Sequence, residues 1–218
     1  MKSTRPVRRN RTKAGRTRTP RFTRVDPELR RHQIIEAAIR CLGRGGGANL
    51  TTSAIMAEAR VSRGLIHHYF PSQSLLLVEA YKLMIGGLSS KATDDMRRRS
   101  SGEAMDLKAM VEVAFSPLIF EKLQNQAWLE LWALMSSEPE LSKFHSKVYR
   151  NYRRELVAAI ECLAKKRRKT IDVHNLATAT IALVDGLWLN WSIDSRFVPA
   201  TEAKRACYNM LEAHLGPL

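Results

Sequence analysis

The segment ARVSRGLIHHYF at residues 59–70 restricts the fold of this chain more than any other stretch. Val61, Ile66 and Phe70 are apolar at the spacing of one side of a short helix. Ser62 stands at the N-cap position of that helix, where its hydroxyl can accept a backbone N–H of the first turn. The segment therefore predicts a tight turn followed by a short helix that is buried on one side.

The opposite side of this predicted helix is polar. Arg63, Gly64, His67 and His68 fall on it together, because residues three or four apart share a helical face. A face with a cation, a glycine, two imidazoles and the neighbouring Tyr69 suits close approach to the phosphates and base edges of DNA. An ordinary amphipathic helix is the alternative interpretation of the same spacing.

Two more helices are predicted upstream of this segment. The Thr-Thr-Ser sequence at residues 51–53 can cap one of them. The other carries apolar residues at positions 34, 38, 41 and 42 and stops at the Arg-Gly-Gly-Gly sequence of residues 44–47. We therefore predict a three-helix, helix-turn-helix DNA-binding domain over residues 26–73. Its small core would consist of Leu42, Ile55, Val61, Ile66 and Phe70.

These residues resemble the DNA-binding domain of TetR-family transcriptional repressors. The resemblance covers about residues 28–80 and rests on Thr51, Ile55, the ARVSRG sequence at 59–64 and the Tyr69-Phe70 pair. By position it implies phosphate contacts from Thr52 and Tyr69. It places six further residues at or near base edges, namely Ser53, Arg63, Gly64, Leu65, His67 and His68. We include Ser62 and Gln73 in the predicted DNA-binding set.

Two positions depart from the family pattern. Arg60 stands where the family usually has a turn glycine, and an arginine with positive φ would cost on the order of 1 kcal/mol. Gln73 stands where a lysine usually touches a phosphate, so one charged anchor is missing.

Residues 1–25 form a basic arm that can replace this anchor. The arm contains ten Lys or Arg and no Asp or Glu, and thus carries +10 of the formal net charge of +15. Its composition predicts a disordered segment. We expect it to contact DNA and to make binding depend steeply on salt. A merely solvated tail is the alternative.

The remaining composition excludes several classes of protein. The three cysteines, Cys41, Cys162 and Cys207, are far apart and predict small buried residues in a reducing compartment. Neither they nor the six histidines show the spacing of a metal site. We expect no cofactor, no catalytic residue and no membrane partner, and a cytoplasmic location. The nearest candidate for a membrane span, residues 176–191, is interrupted by Asp185.

Residues 74–218 predict a larger, all-helical domain for effector binding and dimerisation. A long helix is expected to begin near Ser72 and to continue through Lys91, with a loop at residues 97–102. Further helices are predicted at about 103–115, 124–136, 139–165, 173–194 and 201–215. The fold class is therefore all-α.

This domain carries a second resemblance. Sequences at 128–132 (WLELW), 138–141 (EPEL), 149–150 (YR) and 183–189 (LVDGLWL) are similar to those of the Bet subgroup of the TetR family. That subgroup includes the repressor of choline conversion to glycine betaine. The resemblance spans most of residues 28–215 and implies a small-molecule inducer.

The chemistry of these residues suits a quaternary ammonium ligand, which is held by aromatic faces and a nearby carboxylate. Asp185 between Val184 and Leu187 needs a partner, because a carboxylate among apolar side chains is costly to bury. That partner is either a ligand cation or an arginine such as Arg150 or Arg153. The predicted ligand-binding set is Trp128, Trp132, Tyr149, Tyr152, Asp185 and Trp188. Large aromatic residues at helical spacing are also typical of an ordinary core.

The resemblance further implies a homodimer on a pseudo-palindromic, double-stranded DNA operator, released when the inducer shifts the fourth helix. The last two helices would pair across the dimer, with contacts from Leu183, Leu187, Trp191, Tyr208 and Leu211.

Three other interpretations are open at this stage. The first is a repressor of the same type that senses another small molecule. The second is a DNA-coating or architectural protein that uses the basic arm without reading sequence. The third is a helical enzyme that uses His67 or His68, although the segment supplies no acid–base or oxyanion partner.

Overall fold

The computed structural model describes residues 26–99, 106–116, 122–196 and 198–218. Within these ranges the chain forms nine α-helices and one 3₁₀ turn at Gly47–Asn49, and no strand. The prediction of an all-α fold is confirmed. The basic arm of residues 1–25 lies outside the described residues. The helices are α1 Pro27–Gly45, α2 Thr52–Ala59, α3 Arg63–Tyr69, α4 Gln73–Arg99, α5 Leu107–Ala114, α6 Lys122–Leu134, α7 Pro139–Lys166, α8 Val173–Ile193 and α9 Ala200–Leu215.

Local signals in the sequence position the first three helices. The Asp26 carboxylate accepts the Glu28 N–H and caps α1, which ends at Gly45 before Gly46 at φ 72°. The Thr51 and Ser62 hydroxyls accept the N–H groups of Ala54 and Leu65 and cap α2 and α3. The predicted turn and both caps are thus present.

The fourth helix is longer than predicted. The Ser72 hydroxyl accepts the Leu75 N–H at its start, and the helix runs to Arg99. The loop expected from residue 97 was therefore wrong for residues 97–99, where arginines, which favour helix, continue the turn. Residues 100–102 of that loop, and residues 103–105 of the helix predicted after it, lie outside the described residues. Helix α5 begins at Leu107, later than expected, because Asp106 caps it.

One apolar core joins the DNA-binding helices to the larger domain. The predicted core residues Leu42, Ile55, Ile66 and Phe70 are buried, and the same cluster continues into Trp128 of α6. Val61 packs against the cluster while half-buried.

The contact between α1 and α6 is close. A Cβ atom at Gly43 would lie 2.5 Å from the Leu123 carbonyl oxygen, so only glycine lets α6 approach here. The Gly47 N–H donates to the Glu130 carboxylate at 2.8 Å. The DNA-binding helices are therefore in direct contact with the helix that carries Trp128 and Trp132.

A second core is formed by α5, α7, α8 and α9, with Leu156, Ile160, Val184 and Leu211 among its buried residues. Cys41 and Cys207 are buried as predicted, but Cys162 is exposed, so that prediction was wrong for Cys162. It lies on the solvent side of α7, whose inner face is formed by Ile160 and Ala164.

Helix α8 is the one helix in the described ranges that is long and apolar enough to span a membrane, with a mean hydropathy of 1.2 over an 18-residue window. It packs against both α7 and α9. Much of its apolar surface is nevertheless uncovered in the protomer, as at Leu189 and Ile193, which are 44% and 74% exposed.

Candidate DNA interface and effector site

Helix α3 presents the predicted polar face to solvent. Arg63, Gly64, His67 and His68 are all exposed, whereas Ile66 on the opposite side is only 5% exposed. Nothing lies within 4 Å of the position that a Cβ atom of Gly64 would take. The face is therefore open and able to approach a DNA groove closely.

The other predicted DNA contacts surround this face. Ser53 is exposed, while Thr52, Leu65 and Tyr69 are half-buried at its edge. A groove of about 180 Å³ between α2, α3 and the start of α4 is lined in part by Thr52, His67 and Gln73.

Two polar side chains of the predicted DNA-binding set make contacts within the protein. The Gln73 side-chain amide donates to the Leu50 carbonyl oxygen at 3.2 Å. The Ser62 hydroxyl is used in capping α3. Both residues therefore help to shape the DNA-binding domain, whatever they contribute to binding.

Arg60 has the left-handed conformation expected for a turn glycine, with φ 54° and ψ 50°. It forms the C-cap of α2, and its side chain is exposed. The turn therefore stores backbone strain that a glycine would avoid.

Charged residues hold the helices of the DNA-binding domain together. The Glu58 carboxylate of α2 pairs with Arg40 and Arg44 of α1, each at 2.6 Å. The hydrogen bond from Arg40 lowers the pKa of Glu58. The guanidinium carbon of Arg31 in α1 lies 5.3 Å from the centroid of the Phe70 ring. A guanidinium nitrogen of Arg31 also pairs with a carboxylate oxygen of Glu79 in α4 at 2.7 Å. Arg31 therefore joins the end of α3 to α4.

A second cluster lies in the larger domain around Tyr81 of α4, which is 1% exposed. The Tyr81 hydroxyl is 2.7 Å from Nδ1 of His145. The Tyr81 ring meets Trp128 and Phe144 edge-on, with centroid distances of 4.8 and 5.6 Å. The His145 ring in turn packs against the Tyr149 ring, with their centroids 4.1 Å apart and their planes tilted by 37°.

Asp185 joins this cluster through Tyr149, whose hydroxyl donates to the carboxylate at 3.1 Å. Burial raises the pKa of Asp185 to about 6, and the bond from Tyr149 offsets part of that rise. An arginine partner is not observed among the described residues. Arg153 instead donates to the His174 carbonyl and the Thr178 hydroxyl, and Arg150 is exposed.

Five of the six predicted ligand-binding residues lie in or beside this cluster. The ring centroids of Trp128 and Trp188 are 6.2 Å apart, and those of Trp132 and His145 are 6.4 Å apart. Tyr152 packs against the second core and borders the cluster from that side: burial, then Cys207 and then Asp185 raise its pKa to about 12.

The sequence interpretation missed Tyr81, His145 and Asn125. His145 precedes Tyr149 by one helical turn, so helical spacing could have found it. Tyr81 reaches the cluster from α4, and no local pattern indicates that long-range contact. The Asn125 carbonyl oxygen accepts from the Ser192 hydroxyl of α8 at 2.7 Å.

The predicted dimer contacts fall into two groups. Leu183, Leu187, Trp191 and Tyr208 are half-buried, and Tyr208 donates to Glu112 at 2.7 Å. Leu211 is 0% exposed inside its own protomer, so its prediction as an interface residue was wrong. The outward face of α8 carries a different apolar stripe, which the sequence interpretation missed, formed by Ala179, Ala182, Leu189 and Ile193.

The described part of the chain contains no group of three or more His, Cys, Asp or Glu side chains that could hold a metal ion. The polar groups of the second cluster are instead surrounded by aromatic rings.

Comparison with known proteins identifies the family. A profile described as "Bacterial regulatory proteins, tetR family" matches residues 34–80, and one described as "BetI-type transcriptional repressor, C-terminal" matches residues 104–216. The chain belongs to the TetR family of transcriptional regulators. The predicted family is thereby confirmed, and the chain is a BetI-type transcriptional repressor, not an enzyme.

Individual relatives agree with this assignment to the TetR family. The HTH-type transcriptional regulator BetI of Agrobacterium fabrum is 32% identical over 167 residues, which cover 77% of this chain and 79% of that protein. A transcriptional regulator from Pseudomonas aeruginosa PAO1 has a TM-score of 0.75 and 28% identity, covering 89% of this chain and 94% of that one.

A regulator from Saccharomonospora viridis, solved in complex with choline, shares the fold. Its TM-score is 0.72 at 23% identity, covering 85% of this chain and 96% of that one.

Proposed function

We propose that this TetR-family repressor binds a pseudo-palindromic operator as a homodimer and is released by a small organic cation, choline or a related quaternary amine. The observation that carries the effector assignment is the buried Asp185 carboxylate, which has Tyr149 as its hydrogen-bond partner and adds to the effect of burial in raising the pKa of the nearby Tyr81 and Tyr152 hydroxyls.

This environment suits a cation that cannot donate hydrogen bonds. A buried carboxylate costs free energy unless it is compensated, and a single phenol hydroxyl compensates it only in part. Faces of Trp and Tyr attract a quaternary ammonium by about 0.5–2 kcal/mol each. Tyr149 contacts the carboxylate directly, and Trp128, Trp132 and Trp188 supply further aromatic faces in the same cluster.

The relatives support the same class of effector. The Agrobacterium fabrum relative is named BetI, and the Saccharomonospora viridis regulator was crystallised with choline. The second protein is similar in fold but distant in sequence, so the assignment rests chiefly on the chemistry of the cluster.

The exposed apolar stripe of α8 supports the homodimer. Leu189 and Ile193 would bury large side chains against a second copy, and Ala182 and Gly186 would allow the helices to approach closely. Two copies related by a two-fold axis would present two α3 helices to successive major grooves.

The link between effector and DNA follows from the position of Tyr81 on α4. An effector that enters the cluster must displace Tyr81 or its neighbours, and α4 moves with it. Arg31 pairs with Glu79 two residues earlier on α4 and lies over Phe70 at the end of α3. Movement of α4 would therefore reach the DNA-binding face, provided that the effector prefers one conformation.

The test is a pair of titrations on the full chain. Choline should bind by calorimetry and should release a fluorescent palindromic operator. Asp185→Asn should weaken choline binding and spare operator binding, because asparagine keeps the volume and can still accept the Tyr149 hydroxyl. Betaine aldehyde is a second cationic probe, and an uncharged isostere of choline is the negative control.

No binding of quaternary amines at millimolar concentration would overturn the effector assignment and favour another small molecule. Equal affinity for random and palindromic DNA would favour an architectural protein over an operator-specific repressor.

A further inference from the structure

The basic side chains around α3 are half arginine and half histidine. Residues 59–78 contain Arg60, Arg63, His67 and His68 and no Lys, Asp or Glu. All four side chains are exposed, and the last three lie on the solvent face of α3. Imidazole is the side chain that ordinarily changes its charge between about pH 5 and pH 8. The positive charge that this face offers to DNA therefore depends on pH.

The carboxylates of the helices around α3 are engaged elsewhere in the protein. Glu58 of α2 pairs with two arginines of α1, at 2.6 Å each. Glu79 of α4 pairs with Arg31 of α1 and with the lysine three residues later, at 2.7 Å each. Glu138, which precedes α7, accepts the Ser74 hydroxyl at the start of α4. The described part of the chain therefore leaves both imidazoles of α3 without a carboxylate partner, and DNA would supply the negative charge.

Both imidazoles lie where a positive charge is favoured and where DNA contacts are predicted. Helix α3 ends at Tyr69, so both belong to its last turn, at the carbonyl end that stabilises cations. His67 borders the groove that Thr52 and Gln73 also line. The His68 ring meets the Tyr69 ring edge-on, with centroids 5.2 Å apart. Each imidazole is therefore next to a residue of the predicted DNA-binding set.

We infer that the protein takes up protons at His67 and His68 when it binds its operator, so that acid strengthens repression. This inference rests on the proposed function, because it requires α3 to face the DNA. Phosphate oxygens and the O6 and N7 atoms of guanine are the acceptors that DNA offers to such a face. A protonated imidazole donates from both ring nitrogens and carries a charge, whereas a neutral one donates from a single nitrogen.

Proton binding and DNA binding then strengthen each other, because the two equilibria are linked. Operator affinity should be about 5- to 50-fold higher near pH 6 than near pH 8. Each protonated histidine that neutralises a phosphate also releases counterions, so the dependence of log affinity on log salt should be steeper at the lower pH. Protonation of Asp185 would act in the same direction, because it would weaken the binding of a cationic effector.

The experiment titrates the fluorescent palindromic operator with the full chain between about pH 6 and pH 8, without effector. His67→Gln and His68→Gln each remove one titrating group, and each should remove part of the pH response. The double variant should bind with nearly the same affinity at both ends of the range. His174→Gln is the matched control, because it replaces an exposed histidine in the first turn of α8, and it should keep the full response. Asp185→Asn should keep it too.

Two further measurements separate a charge from a neutral hydrogen bond. His67→Arg carries a permanent charge, so it should bind more tightly than the parent near pH 8 and respond less to pH. Calorimetry near pH 7 in buffers of different ionisation enthalpy counts the protons directly, and we expect on the order of one proton per protomer. Circular dichroism at both ends of the pH range checks the folding of each variant.

The outcomes separate this inference from the proposed function. Operator affinity that is the same at both ends of the pH range, or the absence of proton uptake, overturns this inference and leaves the operator-specific repressor intact. A response that persists in the double variant, or that disappears in Asp185→Asn, assigns the protons to another group and also overturns it. Equal affinity for random and palindromic DNA, measured at a single pH, is instead the failure of the proposed function.

Discussion

Among the acidic side chains that the structure describes, Asp185 has the surroundings that differ most from those of an ordinary carboxylate. Its side chain lies between the two cores, and its described hydrogen-bond partner is the Tyr149 hydroxyl. Burial raises the pKa of Asp185 to about 6, and burial lowers the pKa of the neighbouring His145. In neutral solution the cluster therefore holds an ionised carboxylate beside a neutral imidazole, which is a net negative environment.

The first prediction concerns the pH dependence of effector binding. Asp185 is ionised above about pH 6, so choline affinity should be high near neutral pH and should fall as pH decreases through this value. Asp185→Asn should reduce this dependence, because it removes the carboxyl that titrates, whereas burial holds the pKa of His145 below its usual value of 6.5. Calorimetry between about pH 5 and pH 8 measures both curves. A pH dependence that persists in Asp185→Asn would assign the titration to another group.

As a second part of this prediction, the free energy of unfolding of the effector-free protein should decrease as pH rises through the same range. The folded-state pKa of Asp185 is raised above its ordinary value of 3.8, so folding is penalised once the carboxyl ionises. Asp185→Asn should therefore be more stable than the parent near pH 7.5, by on the order of 1–3 kcal/mol. The difference should disappear towards about pH 4, as thermal unfolding at the two pH values would show.

A second prediction at this scale concerns Arg60. Its φ of 54° favours glycine, so Arg60→Gly should raise the free energy of unfolding by about 1 kcal/mol. Arg60→Ala is the matched control, since it removes the same side chain and keeps the strain. Chemical denaturation of the three proteins measures the effect. Equal stability of the glycine and alanine variants would contradict the strain argument.

At the scale of single helices, α3 is short and depends on its neighbours. Seven residues are too few for a stable isolated helix, so its geometry comes from the Ser62 cap and from Ile66 and Phe70 in the core. The solvent-exposed side chains of α3 are therefore not needed to hold the helix in place and are available to contact DNA.

The third prediction separates two kinds of DNA contact on this helix. Arg63→Ala should cost about 1–3 kcal/mol on the operator and relax specificity, because Arg63 faces outward where base edges would lie. Tyr69→Phe should weaken binding to all sequences more evenly, as loss of a phosphate contact would. Titrations with matched and scrambled palindromes distinguish them. Unchanged operator affinity in Arg63→Ala would mean that another face reads the DNA.

At the scale of the whole molecule, an apolar stripe on α8 is left uncovered in the described part of the protomer. Helix α8 exposes Leu189 and Ile193 on the side away from α7 and α9, which is costly for a monomer in water. We expect a second protomer to cover it.

The fourth prediction tests this surface. Leu189→Glu should convert the dimer to a monomer, because it places a charge in the centre of the proposed contact. Leu29 of α1 is 52% exposed, against 44% for Leu189, so Leu29→Glu is a matched control that should remain dimeric. Light scattering after size-exclusion chromatography measures the mass of each. A dimeric Leu189→Glu variant would exclude this face of α8.

The fifth prediction concerns the basic arm of residues 1–25. Its ten basic residues would release counterions on binding DNA, so its deletion should lower operator affinity and make the dependence of log affinity on log salt shallower. The dimer should be retained. An unchanged salt slope would mean that the arm makes no phosphate contacts.

The sequence alone was sufficient to predict those features that are fixed by interactions within a few residues. The caps at Thr51 and Ser62, the stop at Gly45 and the solvent face of α3 all follow from hydrogen bonds and apolar spacing within a few residues. The family resemblance added the positive φ that Arg60 adopts. The long α4 was underestimated, because arginines favour helix and the run at 97–99 looked like a loop.

Long-range contacts required the tertiary structure. Tyr81, His145 and Asp185 lie on three helices, and only the packing of α4, α7 and α8 brings them together. The same packing buries Leu211 in the protomer and leaves Leu189 outside, although both are leucines in amphipathic surroundings. The spacing of apolar residues shows that a helix has a buried face. Which neighbour covers that face depends on contacts between residues far apart in the chain, and these carry no local signal.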